Sequence, residues 1–185
     1  LEYIYLLKDI MGFAYADRSV FLGDPEFFNV PVNELISKDY AEKIAKKIKN
    51  KEISNIQPGM LMKESDETTH FSIIDKWGNS VSNTFTLNGT YGSGIVAKGT
   101  GILMNNEMDD FSSKPGYPNL YGLVGSEANK IEPKKSPLSS MSPVIVTKDN
   151  IPYLITGSPG GSTIINSVFQ EIINILDFEM SLEES

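Results

Sequence analysis

The sequence contains no cysteine and a single histidine, and these two scarcities limit the chemistry that the chain can perform. Without cysteine, disulfides, thiol nucleophiles and zinc–thiolate sites are excluded, while the compartment stays open because a cysteine-free chain suits cytosol and periplasm alike. A Ser-His-Asp triad would have to use His70, whose simpler interpretation is a partly buried structural histidine in a strand. Another route to nucleophilic catalysis lets a Thr hydroxyl use its own α-amine as the base.

Long apolar runs and an excess of positive charge are also missing. No stretch has the roughly 20 consecutive apolar residues that a membrane helix requires. The chain carries 16 basic against 24 acidic residues, and its formal net charge of −8 opposes binding to nucleic acid or to anionic membranes. We therefore expect no nucleic-acid partner and no membrane span.

The first residue is Leu1 rather than Met, and both ends of the chain have helical character. We interpret the chain as an internal part of a longer protein, so the lack of a visible signal peptide is uninformative.

Apolar periodicity and turn residues predict the secondary structure in outline. Three helices and two antiparallel hairpins are expected, together with one short extra strand, as in a layered α+β fold. The predicted helices and strands cover about 1–15, 39–49, 69–74, 80–87, 102–104, 144–147, 153–156 and 163–177. Residues 105–142 have little periodicity, and a loop of that length is usually functional or disordered.

Three segments carry polar groups that suit chemistry. Thr68 follows an acidic linker and precedes a strand, so a cut before it would create an N-terminal nucleophile, although Thr is common at strand starts. Residues 105–110 hold two amides and three carboxylates, which fit a solvated loop or a calcium site as well as a pocket for a substrate ammonium. Residues 157–162 place glycines before a helix, which fits an oxyanion site or a plain strand-to-helix turn.

Taken together, these segments resemble the γ-glutamyltranspeptidase (glutathione hydrolase) family, in the right order and spacing over nearly the whole chain. The matching stretches are Tyr15-Ala16-Asp17-Arg18, Leu22-Gly23-Asp24-Pro25, Thr68-Thr69-His70-Phe71-Ser72, Phe85-Thr86-Leu87-Asn88, Asn105-Asn106-Glu107-Met108-Asp109-Asp110-Phe111, Pro137-Leu138-Ser139-Ser140-Met141-Ser142-Pro143 and Gly157-Ser158-Pro159-Gly160-Gly161-Ser162.

The resemblance implies a precursor that cuts itself, in this chain between Glu67 and Thr68. Residues 1–67 would be the helical C-terminal part of a large subunit with a linker, and residues 68–185 most of a small catalytic subunit that stops short of its end. The implied fold is the αββα sandwich of N-terminal-nucleophile hydrolases, an α+β architecture that would be incomplete in this chain.

The resemblance also assigns roles to individual residues. Thr68 would attack the γ-glutamyl carbonyl with its freed α-amine as base, and Thr86 would orient it. The backbone N–H groups of Gly160 and Gly161 would form the oxyanion hole. The implied substrate-binding residues are Asn88, Glu107 and Asp110 around the α-amine, Ser139 and Ser140 at the α-carboxylate, and Tyr121 in a lid loop.

Implied substrates are glutathione and other γ-glutamyl compounds, with water or the amine of an amino acid or peptide as acceptor, and no metal or cofactor. The rest of the large subunit, which supplies an Arg for the substrate carboxylate, is the implied partner, and a periplasmic or secreted location is implied. Two alternatives are an acylase of the same fold and a catalytically silent relative that binds amino-acid head groups. By itself, the chain is expected to be neither cut nor active.

Overall fold

The computed structural model describes residues 1–51 and 67–185, which form two compact units. The described part of unit 1 is residues 1–51 and 108–138, and that of unit 2 is residues 67–107 and 139–185. The predicted acidic linker up to Asp66 lies outside the described residues. In that described part, none of the helices is long and apolar enough to cross a membrane.

The helices of unit 1 are α1 (Glu2–Phe21), α2 (Val32–Leu35) and α3 (Lys38–Lys49). The predicted end of the first helix near residue 15 is wrong, because backbone hydrogen bonding continues until Leu22 donates to Arg18. The hydroxyl of Tyr40 on α3 donates to Asp17 Oδ2 on α1 at 2.8 Å. Burial, reinforced by this bond to a carboxylate, raises the pKa of Tyr40 to about 12.

The rest of unit 1 is irregular, as predicted, and docks on the end of α1. The Ser126 hydroxyl donates to the carbonyl of Val20 at 2.9 Å, and the backbone N–H of Ser136 donates to Asp24 Oδ2 at 2.8 Å. The 3-10 helix Glu127–Asn129 lies between these two attachments along the chain. The buried apolar side chains of this unit are Phe13, Phe111, Tyr121 and Ala128.

Unit 2 contains two antiparallel hairpins and a helix. Strands β1 (Thr68–Ile74) and β2 (Ser80–Thr86) pair in sequence order, β3 (Val144–Lys148) pairs with β4 (Ile151–Thr156), and α4 (Ile164–Leu176) follows. Both hairpins and the helix confirm the prediction. The predicted strand at 102–104 is wrong, because only an isolated bridge between Val96 and Leu103 forms there.

The first hairpin packs its polar face on the second. Ser72 and Ser82 are cross-strand partners, and their hydroxyls donate to the carbonyls of Ile155 at 3.0 Å and Thr156 at 2.8 Å on β4. The Thr156 hydroxyl in turn bonds the Glu171 carboxylate on α4. Unit 2 is therefore layered as hairpin, hairpin and helix, which confirms a mixed α/β structure.

The opposite face of the first hairpin is apolar and exposed. Its side chains alternate with the inward polar ones because successive strand residues point to opposite faces. They are Phe71, Ile73, Val81 and Phe85, which are 40–54% exposed.

Candidate active site

Thr68 and Thr86 lie opposite each other at the open end of the first hairpin. The Thr86 hydroxyl donates to the carbonyl of Glu67 at 3.4 Å, and that carbonyl belongs to the peptide bond joining Glu67 to Thr68. The side chain of Glu67 is bonded by the hydroxyl of Thr90. The peptide bond at which cleavage is predicted is thus contacted by the hydroxyl of Thr86, to which the family resemblance assigns the orientation of Thr68.

Asn88 is held rigidly beside this pair. Its backbone N–H donates to Thr86 Oγ1 at 2.9 Å, and its side-chain amide donates to the carbonyl of Asn106 at 3.2 Å. Asn88 is 3% exposed and has a φ of 72°, a left-handed conformation that Asn tolerates better than most residues. The amide oxygen of Asn106 accepts from the N–H of Gly89 at 2.8 Å, so the strand end is tied to the segment that precedes Glu107.

The hydrogen-bond partners of His70 among the described residues are two hydroxyl groups. Its Nδ1 lies 2.7 Å from the Thr84 hydroxyl, and its Nε2 lies 3.1 Å from the Ser72 hydroxyl. Because Ser72 donates to the Ile155 carbonyl, the Nε2–H tautomer donates to Ser72 and Nδ1 accepts from Thr84. A triad needs an acidic partner at the second ring nitrogen, and Thr84 takes that position. The structural interpretation of His70 is the one that these contacts favour.

The glycine-rich segment starts next to this histidine. A Cβ on Gly157 would strike the His70 ring, so only glycine allows this approach. Ile155 on β4 contacts Ser72 on β1, and Gly157, just after β4, approaches His70. The chain thus runs along β1 in the direction of Thr68. Gly160 has a φ of 127° and precedes the 3-10 helix that leads into α4. These features suit backbone N–H groups that must approach a reacting atom closely.

The acidic segment 105–110 does not converge as a metal site. Glu107 and Asp110 lie at the two ends of the 3-10 helix Glu107–Asp110. The side-chain oxygen of Asn105 accepts from Glu107 N–H at 3.1 Å, and Asp109 Oδ2 accepts from Leu120 N–H at 2.8 Å. Among residues 1–51 and 67–185, no three acidic or histidine side chains are grouped to hold a metal ion.

The other predicted site residues are distributed over both units. Ser139 and Ser140, in unit 2, precede β3, and the Ser139 hydroxyl accepts from Met141 N–H at 3.1 Å. Tyr121 and Asp110 belong to unit 1. Tyr121 is 8% exposed and lies in a loop closed by a hydrogen bond of 2.9 Å between Gly116 N–H and the Gly125 carbonyl.

Two residues without a predicted site role bond the backbone at, or next to, a predicted site residue. Asn129 donates to the backbone of Asp110, and Arg18 donates to the backbone of Leu138. Arg18 stands in a matching family motif, but Asn129 lies in an irregular stretch where neither periodicity nor turn chemistry marks a buried side chain.

A family model for gamma-glutamyltranspeptidase matches residues 1–185. The chain is 55% identical over 184 residues to the glutathione hydrolase proenzyme of Escherichia coli, covering 97% of this chain and 32% of that protein. The proenzyme of Pseudomonas aeruginosa is 51% identical over 187 residues, with 100% of this chain and 33% of that protein covered. The chain therefore spans about a third of the length of these curated relatives.

Solved structures of gamma-glutamyltranspeptidases also match the chain. A gamma-glutamyltranspeptidase from Pseudomonas nitroreducens, complexed with L-DON, matches with a TM-score of 0.61 and 61% identity over 63% of this chain and 60% of its own. A mutant of the Helicobacter pylori gamma-glutamyltranspeptidase matches with a TM-score of 0.60 and 60% identity over 62% of this chain and 61% of its own.

A curated relative of another name also matches in sequence. An acylase proenzyme from a Pseudomonas strain is 36% identical over 98% of this chain and 31% of its own length.

Proposed function

The chain belongs to the γ-glutamyltranspeptidase family, and we propose that the complete protein hydrolyses glutathione and transfers γ-glutamyl groups through a covalent intermediate on Thr68. The observation that carries this proposal is the contact of the Thr86 hydroxyl with the Glu67 carbonyl, directly opposite Thr68. That geometry supports two successive reactions at one site: cleavage of the chain between Glu67 and Thr68, and then attack of Thr68 on the γ-glutamyl carbonyl of the substrate.

In the uncut chain, Thr68 has no free α-amine, and its hydroxyl attacks the carbonyl carbon of Glu67. The carbonyl oxygen gains negative charge in this step, and a hydrogen bond from Thr86 stabilises it. The hydroxyl proton of Thr68 passes to its nitrogen as the C–N bond breaks, which leaves an ester that water hydrolyses. The products are a carboxylate at Glu67 and an α-amine at Thr68.

In the cut protein, the Thr68 hydroxyl attacks the γ-glutamyl carbonyl and its α-amine accepts the proton. Thr86 orients the nucleophile, and the backbone N–H groups of Gly160 and Gly161 bind the oxyanion. The γ-glutamyl C–N bond then breaks, and the leaving amine takes the proton from the α-amine of Thr68, which leaves a γ-glutamyl ester on Thr68. The acyl group finally passes from this ester to water or to the amine of an amino acid or peptide, and the Thr68 hydroxyl is restored.

The substrate head group carries an ammonium and a carboxylate on one carbon, so its recognition requires acceptors and donors together. Carboxylate and amide oxygens serve the ammonium, and hydroxyl groups serve the carboxylate. We assign the ammonium to Asn88, Glu107 and Asp110, the carboxylate to Ser139 and Ser140, and the lid to Tyr121.

The layers of unit 2 and its exposed apolar face support the αββα sandwich as the architecture of the complete protein. Phe71, Ile73, Val81 and Phe85 make this face largely apolar, of the kind that a second layer covers. We assign this covering to the rest of the large subunit, and a periplasmic or secreted location follows from the family resemblance.

An acylase of the same fold is the second candidate, favoured by the 36% identity to an acylase proenzyme. Such an enzyme would share the nucleophile and differ in the head group that it recognises. The third candidate is a silent relative that binds amino-acid head groups. Comparing the release of aniline from γ-glutamyl anilides and from simple acyl anilides separates the first two, and no release from either substrate indicates the third.

The deciding experiment is mass spectrometry of the complete protein, wild type and Thr68→Ala. We expect the wild type to yield two chains divided between Glu67 and Thr68 and to release aniline from a γ-glutamyl anilide. Thr68→Ala should remain one chain and be inactive, because alanine has no hydroxyl to attack either carbonyl.

Thr69→Ala is the matched control, since Thr69 is the next residue and lies on the exposed face of β1. It should be cut and active like the wild type. A complete wild-type protein that stays uncut and releases no aniline would contradict the proposal. Expressed alone, residues 1–185 should stay uncut and show little activity, because they span about a third of the length of their curated relatives.

A further inference from the structure

The peptide unit at Leu138 is held by side chains from two distant parts of the chain. The side-chain oxygen of Asn129 accepts from Leu138 N–H at 3.1 Å, and Arg18 Nη2 donates to the Leu138 carbonyl at 3.3 Å. A backbone amide and carbonyl in a long irregular stretch would otherwise depend on water for their hydrogen bonds. The backbone N–H and the backbone carbonyl of Leu138, the residue before Ser139, are therefore both held by side-chain hydrogen bonds.

The same two side chains act on Asp110. The amide nitrogen of Asn129 donates to the Asp110 carbonyl at 2.7 Å, and the backbone carbonyl of Asn129 accepts from Ser112 N–H at 2.8 Å. Burial lowers the pKa of Arg18, and the charges of Tyr15 and Asp110 oppose that shift. Arg18, Asp110, Asn129 and Leu138 line one small cavity within unit 1.

Asn129 is well suited to this task. It is 5% exposed, and its side chain uses a donor and an acceptor at once, which an aspartate or a leucine of similar size cannot do. Removing one partner of a buried hydrogen bond leaves the other unsatisfied, so both peptide units depend on this side chain.

We propose that Arg18 and Asn129 form a clamp that positions Asp110 for recognition of the substrate ammonium and fixes the start of the segment carrying Ser139 and Ser140. Both are positioning residues, since they act through Asp110 and Leu138 rather than on the substrate. The proposal rests on the proposed function, because it concerns the head-group site of that activity. It also gives the tail of the large subunit a part in substrate recognition, as Arg18 precedes the predicted cut.

The test uses the complete protein with Arg18→Lys and Asn129→Asp. Lysine keeps the charge near Asp110 but lacks the guanidinium geometry, and aspartate keeps the acceptor for Leu138 but loses the donor to Asp110. Steady-state kinetics are compared for a γ-glutamyl anilide and for the glutaryl anilide, which lacks the α-amino group. We expect each variant to raise KM for the γ-glutamyl substrate about ten-fold, with kcat within about two-fold.

The glutaryl substrate should be affected much less by Asn129→Asp, which acts through Asp110, so the preference of that variant for the γ-glutamyl substrate falls. Arg18→Lys loosens the Leu138 carbonyl next to Ser139 and should raise KM for both substrates, since both carry the carboxylate. In the double variant, the combined loss should be smaller than the product of the two single losses, because both side chains hold one peptide unit. Lys130→Ala is the matched control: Lys130 adjoins Asn129 and is paired only with exposed Glu127 at 3.3 Å among the ion pairs of the described residues.

The extent of cleavage at Glu67 and the thermal midpoint show whether each variant folds. If Asn129→Asp fails to fold, Arg18→Lys decides the question by its KM values for both substrates. An active wild type would overturn the clamp if folded Asn129→Asp kept the wild-type substrate preference, or if folded Arg18→Lys kept the wild-type KM for both substrates. A wild type that turns over neither anilide would instead overturn the proposed function and, with it, the clamp.

Discussion

Thr86 shows how one hydroxyl can serve two neighbours. Its oxygen accepts from the N–H of Asn88 at 2.9 Å, and its hydrogen points to the Glu67 carbonyl at 3.4 Å. A hydroxyl has one donor and two acceptor lone pairs, so both contacts are made together. At the residue scale, the proposed cut and the buried Asn88 depend on the same oxygen atom.

Thr86→Val should test this dependence, because valine keeps the β-branched shape and removes the hydroxyl. We expect cleavage between Glu67 and Thr68 to slow by about 100-fold, the loss typical when a donor to a developing oxyanion is removed. The buried N–H of Asn88 also loses its acceptor, at a cost of about 1–3 kcal/mol in the free energy of unfolding. A time course of the uncut chain by mass spectrometry measures the first effect, and chemical denaturation measures the second.

Thr69→Val is the control for this variant, since it makes the same change on the exposed face of β1. Normal cleavage in Thr86→Val would show that the contact with Glu67 has no part in the cut.

The first hairpin is closed by Asp75, whose carboxylate organises the turn. Asp75 Oδ1 accepts from Trp77 N–H at 2.8 Å and from Asn79 N–H at 2.9 Å, and Oδ2 accepts from the Asn79 side chain at 2.7 Å. The side-chain bond from Asn79, followed by the backbone bonds, lowers the pKa of Asp75 below its usual value of 3.8. At the element scale, a charged side chain sets the turn that aligns Thr68 with Thr86.

The sign of the pH effect follows from this lowered pKa. The carboxylate stabilises the turn above the ordinary pKa of 3.8, and that stabilisation is lost as pH falls through the lower folded value. Trp77, the single tryptophan of the chain, sits at this turn and is 76% exposed. We expect its fluorescence to change with a midpoint below pH 3.8 and the low-pH change to be absent in Asp75→Asn. A midpoint above 3.8 would contradict the assignment to Asp75.

The compact units do not follow the predicted subunit boundary. Residues 1–51 would belong to the large subunit, yet they form unit 1 with residues 108–138, which would belong to the small subunit. Within that unit, the end of α1 is bonded through Val20 to Ser126 and through Asp24 to Ser136. At the scale of the whole molecule, a cut at Glu67 would divide the covalent chain without dividing unit 1.

We therefore expect the two products of the cut to elute together on gel filtration at neutral pH and to separate only in denaturant. The Ser136 backbone bond, above all, lowers the pKa of Asp24, so this attachment weakens as pH falls below the usual value of 3.8. Asp24→Ala should lower the denaturant concentration at which the chains separate. Glu26→Ala, an exposed acidic residue in the same turn, should not. Separation of the wild-type products in plain buffer would disprove this view of unit 1.

Much of the fold follows from local patterns in the sequence. The alternation along β1 and β2, the turn at Asp75, and Asp149 and Asn150 at the tip of the second hairpin are short-range signals, and the structure confirms them. The strand expected at 102–104 is reduced to a single bridge. Residues 93–97 lie alongside it, with Ala97 N–H donating to the Ile102 carbonyl and Met104 N–H donating to the Ile95 carbonyl, but the pairing stops at Val96 and Leu103.

The sequence by itself determined the family, because the motifs around Thr68, Asp110 and Gly160 keep their residue types and order. It also limited the chemistry, since the chain has no cysteine and one histidine. Tertiary structure alone decided that Thr84, rather than a carboxylate, partners His70, and that Asn129 joins Asp110 to Leu138. Those contacts depend on side-chain direction and burial between segments distant in sequence, which no local spacing encodes.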